Sequence, residues 1–221
     1  MEKPYLLTLA SNTEGMDRFL DTLPEVEHIA VQFLPYNPKL EGIKTGVRFP
    51  GHFDKWRFVP EGLDPERYIV FSDTSDVIFQ GELPEFKYDL YLAPETVDHQ
   101  NTIWTGHIDN FPSLETLRHK EVINCGTFAM KVKHMYEYRD FIYEFDKEGY
   151  GAWSQRLEQI YFNMFVHSRP DLSKVYDRSL FCALFANVYH GVKKVDGVWM
   201  DGDRVIKCVH ANGGVELKKQ L

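Results

Sequence analysis

Runs of consecutive apolar residues, each cut short by polar or turn-forming ones, recur along the chain. Tyr5-Leu6-Leu7-Thr8-Leu9 is such a run without alternation, the pattern of a strand covered on both faces in a parallel sheet. Ser11 to Glu14 has the form of a capping box, and Met16, Phe19, Leu20 and Leu23 then recur at helical spacing up to Pro24, so a helix follows the strand directly. His28 to Leu34 reads as a second strand. Strand, helix and strand in this order make a βαβ unit, whose ligands lie in the crevice beyond the carboxyl ends of the strands.

From Pro35 to Leu63 the pattern dissolves into a stretch rich in loops. Tyr68 to Phe71 is another buried strand, followed by Ser72-Asp73-Thr74-Ser75-Asp76 and a second apolar piece, Val77-Ile78-Phe79. Asp89 to Ala93 predicts a further strand, and residues 94 to 121 a long loop with short helices, of the kind that is commonly functional. Val122 to Met130 reads as a central strand. Met135, Tyr138, Ile142 and Phe145 stripe the helix after it, which Gly149 stops, and a second helix runs from about Ser154 to His167. Arg178 to Asn187 predicts a short buried helix. Trp199 to Ile206 predicts a hairpin around Asp201-Gly202, and Val205 to Val209 a strand leading to His210. Neither an internal repeat nor a linker rich in Pro, Gly or Ser divides the chain.

Composition narrows the partners. Of 221 residues, 43% are hydrophobic and 26% charged, which is globular and too apolar for disorder. The 25 basic residues against 33 acidic ones leave a net charge of −8, which argues against sequence-independent binding to nucleic acid or to anionic membranes. An anionic ligand would need positive charge imported locally. Cys125, Cys182 and Cys208 are odd in number and widely spaced, so they are expected to be reduced core thiols. The chain opens without signal-peptide character, and no apolar run approaches the roughly 18 residues of a membrane span, so a cytoplasmic location is expected.

Asp73 and Asp76 stand three apart where a strand delivers both to one sheet edge. Paired carboxylates there suit a hard divalent cation such as Mg²⁺ or Mn²⁺; the alternative is that Asp73 caps the turn and Asp76 is solvated. His210 also follows a strand. It is either structural or a third ligand, and an imidazole beside two carboxylates shifts the preference toward Mn²⁺. Asn212-Gly213-Gly214 is an ordinary turn or a backbone that lets a ligand approach closely. Gly46 and Gly51 have P-loop spacing, but His52 and Phe53 replace the required Lys and Ser/Thr, which excludes an ATP-binding loop. Lys55 is then either a phosphate contact or a plain surface lysine. Glu158 opens its helix on a face shared with Phe162 and Phe165, where a raised pKa would suit proton exchange; a favourable acid near a helix N-terminus is the other reading.

Taken in order, these segments resemble the glycosyltransferase domain of procollagen lysyl hydroxylases and, more broadly, the GT-A family of nucleotide-sugar transferases. The resemblance rests on Leu6-Leu7-Thr8-Leu9-Ala10-Ser11 with Thr13-Glu14-Gly15, on Phe71 to Val77, on Asn124-Cys125-Gly126-Thr127-Phe128 and on Val209-His210-Ala211-Asn212-Gly213. It implies an α/β GT-A-like fold with a mostly parallel central sheet flanked by helices, in a single domain over 1–221, with a nucleotide-binding half (1–90) and an acceptor half (91–221). It also implies metal-dependent transfer from a UDP-sugar to a hydroxyl-bearing acceptor. The implied metal ligands are Asp73, Asp76 and His210, the donor contacts Leu9, Ala10, Ser11, Lys55, Asp73, Thr74, Ser75, Asn212 and Gly213, and the catalytic residues Asp76 and Glu158. A binding protein of the same fold that has lost transfer activity and a sugar nucleotidyltransferase are the alternatives. Where those hydroxylases carry a run of aspartates, this chain has Arg156-Leu157-Glu158-Gln159, so a collagen acceptor does not transfer with the fold.

Overall fold

The computed structural model of the chain describes residues 2–10, 15–32, 56, 59–98, 112–146, 158–184, 188–212 and 215–221. β1 (Tyr5–Ala10) and β2 (Glu27–Gln32) run parallel and are joined through α1 (Met16–Asp21), while β3 (Tyr68–Ser72) lies parallel on the other side of β1. β4 (Val77–Phe79) leaves this plane. β5 (Leu90–Asp98), β6 (Glu121–Lys131) and β7 (Lys174–Tyr176) complete a six-stranded sheet in the order β2-β1-β3-β6-β5-β7. β6 is antiparallel to both of its neighbours and β5 is parallel to β7, so five strands share one direction. The sheet is thus mostly parallel within a mixed α/β fold, as the apolar runs predict.

Those runs are apolar throughout because both faces are covered. Leu7, Ile69, Phe71, Leu92, Phe128 and Met130 pack with Tyr138 and Ile142 of α2 (Val132–Asp146) and with Phe162 and Phe165 of α3 (Glu158–Ser168). Alternate residues Leu6, Val70, Tyr91 and Ala129 meet Met16 and Phe19 of α1 on the opposite face. Phe128 stacks between Phe71 and Phe162, with ring centroids 5.2 and 4.5 Å away. Each such ring contributes about 1.5–3 kcal/mol through burial.

A second group of strands braces the carboxyl end of this sheet. β8 (Phe181–Ala183) pairs parallel with β12 (Cys208–His210), which pairs antiparallel with β4. Beside it stands a small antiparallel sheet of β9 (Val192–Val195), β10 (Val198–Asp201) and β11 (Arg204–Val205). The segment from Arg178 expected to be helical therefore contains β8. A short apolar run fits a buried strand as well as a buried helix, and pairing with β12 decides it. The expected strand Val205–Val209 is split between β11 and β12, and the loop expected over 94–121 begins as strand, since β5 runs on to Asp98. The expected hairpin forms at Gly202 (φ +64°), preceded by a second at Asp196-Gly197.

α1 starts after Gly15, which serves as its N-cap; the capping box at Ser11–Glu14 lies outside the described residues. Gly15 is held at φ +71°, and a Cβ there would stand 2.3 Å from the Ser75 carbonyl oxygen, so both conformation and contact call for glycine. None of the three cysteines forms a disulfide; Cys182 and Cys208 are buried and Cys125 is half-buried. Among the described residues no helix is long and apolar enough to cross a membrane.

Candidate metal centre

The strand ends assemble the site. β3 stops at Ser72, but the Asp73 backbone N–H still donates to the Gly126 carbonyl at 2.8 Å, carrying the ladder with β6 one residue further and fixing Asp73 at the sheet edge. On the other side β12 lies against β4 with His210 opposite Val77, and the Ala211 N–H donates to the Asp76 carbonyl at 2.8 Å. The short turn between β3 and β4 thereby brings both aspartates to one histidine 134 positions later. One ligand atom from each of Asp73, Asp76 and His210 lies within 4.8 Å of the other two. His210 Nε2 is 3.5 Å from Asp76 Oδ1 and 3.9 Å from Asp73 Oδ2. Side-chain exposure rises from 6% at His210 through 14% at Asp76 to 36% at Asp73, so the cluster opens to solvent on the Asp73 side.

The charges of the cluster support one another. Burial opposes ionisation of Asp76, but the hydrogen bond and charge of His210, with the Lys218 ammonium 3.2 Å away, hold its carboxyl down at about 2. Burial likewise opposes the His210 cation, and Asp76, Asp73 and Glu95 together override it, raising the imidazole above its ordinary value. Two hard carboxylates and one imidazole form a donor set suited to a divalent cation. Space has been kept for them: a Cβ at Gly126 would stand 2.3 Å from His210 Cε1 and 2.7 Å from Asp73 Oδ2.

A polar network backs the cluster. Asn124 Oδ1 lies 2.9 Å from His210 Nδ1 and accepts the Gly126 N–H at 2.8 Å, while its Nδ2 donates to Glu95 at 2.6 Å. The same carboxylate accepts from Asn212 at 2.9 Å and from Gln159 at 3.1 Å. A bulge makes this possible. Between Leu92 and Ala93 the partner on β6 jumps from Phe128 to Asn124, releasing Cys125, Gly126 and Thr127 from regular pairing with β5.

The other expected donor contacts fare differently. Leu9 and Ala10 end β1 beside the end of β3, with Thr8 opposite Ser72. Thr74 is buried, and the Ser75 carbonyl accepts from the Arg18 guanidinium, which also bonds the Lys218 carbonyl of α4 (Val215–Lys218). Asn212 joins the Glu95 network, whereas Ser11, Lys55 and Gly213 lie outside the described residues. Glu158 is buried, and its Oε1 accepts the Trp56 indole N–H at 3.1 Å; its neighbour Gln159 is the residue bonded to the network. Lys218 and Glu95 were not singled out from sequence, and Arg18 only as part of the opening helix, without a role at the site. Lys218 and Arg18 reach the cluster only through tertiary folding, and Glu95 sat among several acids in an expected loop.

No protein-family model and no curated protein matches the chain. Solved structures do match it in fold, two glycosyltransferases among them. The galactosyltransferase LgtC, in complex with donor and acceptor sugar analogs, is similar with a TM-score of 0.54 over 95% of this chain and 87% of LgtC, at 11% identity. The apo-form glycosyltransferase GlyE of Streptococcus pneumoniae TIGR4 is similar with a TM-score of 0.54 over 94% of this chain, at 13% identity. The chain spans 54% of GlyE, about half its length. At these identities the similarity is one of fold, and with the mostly parallel sheet it fits a GT-A-like architecture.

Proposed function

We propose that the chain is a metal-dependent glycosyltransferase that moves a sugar from a UDP-sugar to a hydroxyl-bearing acceptor. The observation that carries this reading is the convergence of Asp73, Asp76 and His210 at the carboxyl edge of a sheet whose fold is shared with LgtC and GlyE. These three residues would hold Mn²⁺, with Mg²⁺ the second choice. Bound there, the cation would supply charge stabilisation for a diphosphate leaving group.

The chain's own residues do the rest. An acidic protein must import positive charge for a diphosphate; the Lys218 ammonium lies against Asp76, and the Arg18 guanidinium holds the backbone carbonyls of Lys218 and Ser75 beside it. Lys55 is proposed as a further phosphate contact. The Leu9–Ala10 backbone and Ser11 would hold the uridine, with Thr74, Ser75, Asn212 and Gly213 shaping the donor crevice. On the acceptor side Glu158 is proposed to exchange the hydroxyl proton, releasing the Trp56 indole as it does so. The resemblance to lysyl hydroxylase domains supports the donor and metal contacts of both the nucleotide-binding half (1–90) and the acceptor half with its closing metal-ligand segment (91–221), and leaves the acceptor itself open.

Calorimetry with UDP tests this. The parent should bind UDP at least about tenfold more tightly with Mn²⁺ than with EDTA, and Asp76→Ala should abolish that gain. Equal affinity under both conditions would overturn the metal-dependent reading.

A further inference from the structure

We propose that Asn124, held in turn by Glu95, is the positioning residue that fixes His210 as the Nδ1–H tautomer and so presents a bare Nε2 toward Asp73 and Asp76. This rests on the reading of that cluster as a cation site. The two ends of an amide look alike in shape, and their partners decide which is which. The Gly126 N–H can only donate, so the end of Asn124 that it meets is oxygen; the Glu95 carboxylate accepts, so the other end is nitrogen. His210 Nδ1 therefore faces an oxygen at 2.9 Å and must carry the hydrogen. The protonated ring carries its second N–H on Nε2 toward Asp76; once that proton leaves, as a cation bound there requires, the lone pair is on Nε2, the nitrogen nearest both aspartates.

Glu95 makes the arrangement rigid. Its carboxylate receives three amides from three separate parts of the chain: Asn124 on β6, Gln159 on α3 and Asn212 just beyond β12. The last lies two residues from His210, so the anchor that orients Asn124 also ties down the segment carrying the imidazole. A carboxylate–amide–imidazole chain of this kind fixes ring orientation and strengthens the ring as a ligand. Asn124 is 3% exposed, so water does not substitute for it as acceptor.

The experiment has two readouts on the full chain. Nitrogen-15 NMR of the ring, metal-free and at a pH where it is neutral, should show a pyrrole-type Nδ1 and a pyridine-type Nε2 for the signal lost in His210→Gln. Mn²⁺ alone, titrated by calorimetry or electron paramagnetic resonance, should bind about 10–100-fold more weakly to Asn124→Leu, and the ring should revert to Nε2–H. Because that variant can fail through misfolding, a rescue is paired with it. Asn124→Asp together with Glu95→Gln keeps an oxygen toward His210 and exchanges donor and acceptor between positions 95 and 124 at the cost of the Asn212 bond to the same Glu95 oxygen, so it should restore the tautomer and part of the Mn²⁺ affinity. An Nε2–H ring in a parent that binds Mn²⁺ would overturn this assignment, as would a folded Asn124→Leu with parental Mn²⁺ affinity. A parent with the Nδ1–H ring that binds no Mn²⁺ would instead overturn the cation reading.

Discussion

The two ends of the main sheet handle charge in opposite ways. At the amino end of its parallel strands, cations and carboxylates meet in solvent: Lys3 with Glu25, Arg67 with Glu27 and Glu2, Lys131 and Lys133 with Glu66. Arg67 also lies over the Tyr5 ring at 3.7 Å, and several of these groups line a concavity of about 520 Å³. At the carboxyl end Asp73, Asp76 and Glu95 gather around one buried histidine, with neutral amides taking the hydrogen bonds. Shape alone would favour the first region as a binding site. Donor chemistry favours the second, since the exposed pairs at the amino end already satisfy one another, whereas Asp73, Asp76 and His210 bring together ligand atoms of the kind a divalent cation takes, with Lys218 facing only Asp76 of the three.

The sharpest break between the two ends should come from Gly126→Ala. The added methyl must displace His210 and Asp73 together, and though Asp73 can swing toward solvent the buried His210 cannot, so overpacking should cost about 1–3 kcal/mol. Mn²⁺ affinity should fall by more than about tenfold. Gly202→Ala is the contrast: its φ is left-handed but nothing lies within 4 Å of the new Cβ, so it should cost about 1–2 kcal/mol in backbone strain and leave Mn²⁺ binding at the parental value. Calorimetry and urea melts on both variants check this; parental Mn²⁺ binding by Gly126→Ala would show that the cluster tolerates the displacement.

Much of the fold was legible because burial on both faces writes itself into the sequence as unbroken apolar runs, and β1, β3 and β6 were each read within two residues. The three residues of the cluster, Asp73, Asp76 and His210, were legible for a related reason. Each stands at the polar end of such a run, where a strand emerges from the core. What escaped was decided by partners distant in sequence. Phe181-Cys182-Ala183 is strand because β12 lies beside it, and Glu95 is a hub only once Asn124, Gln159 and Asn212 arrive around it. Lys218 belongs to a polar tail whose docking against Asp76 no local pattern announces.

Acidity should separate the two histidines next. His28 on β2 is half-buried beside Phe19, with its Nε2 2.9 Å from the Thr8 hydroxyl, and desolvation lowers its pKa to about 4. The unfolded chain then binds the extra proton, so the stability from His28 is complete above its ordinary value of 6.5 and is lost as pH falls toward 4, by about 1–3 kcal/mol. His210 has the opposite sign. Its raised pKa gives the metal-free chain stability that is complete below 6.5 and is lost as pH rises through the folded value. Urea midpoints of metal-free protein across pH 4 to 8 should therefore fall on the acid side, and His28→Gln should flatten that limb while leaving Mn²⁺ binding unchanged. An acid limb that survives in His28→Gln would place the sensitive group elsewhere.

The smallest effect should come from Glu66→Gln, at the amino end. Glu66 is fully exposed, and its low pKa comes first from the hydrogen bonds of Lys133 and Lys131, with Lys131 Nζ at 3.1 Å and Lys133 Nζ at 2.8 Å. Drawn as contacts, this three-membered group looks stronger than anything at the Asp73–Asp76–His210 cluster, where the nearest carboxylate–imidazole distance is 3.5 Å. Water and salt reverse that order. Exposed pairs act through a high dielectric and must order long side chains, so most of the attraction is cancelled before it reaches stability. Glu66→Gln should shift the urea midpoint by no more than the scatter between repeats, and any shift should vanish in about 1 M NaCl. A large shift that resists salt would mean that the amino end is held by its ion pairs, and the contrast between a satisfied edge and one that awaits a cation would no longer separate the two ends of the sheet.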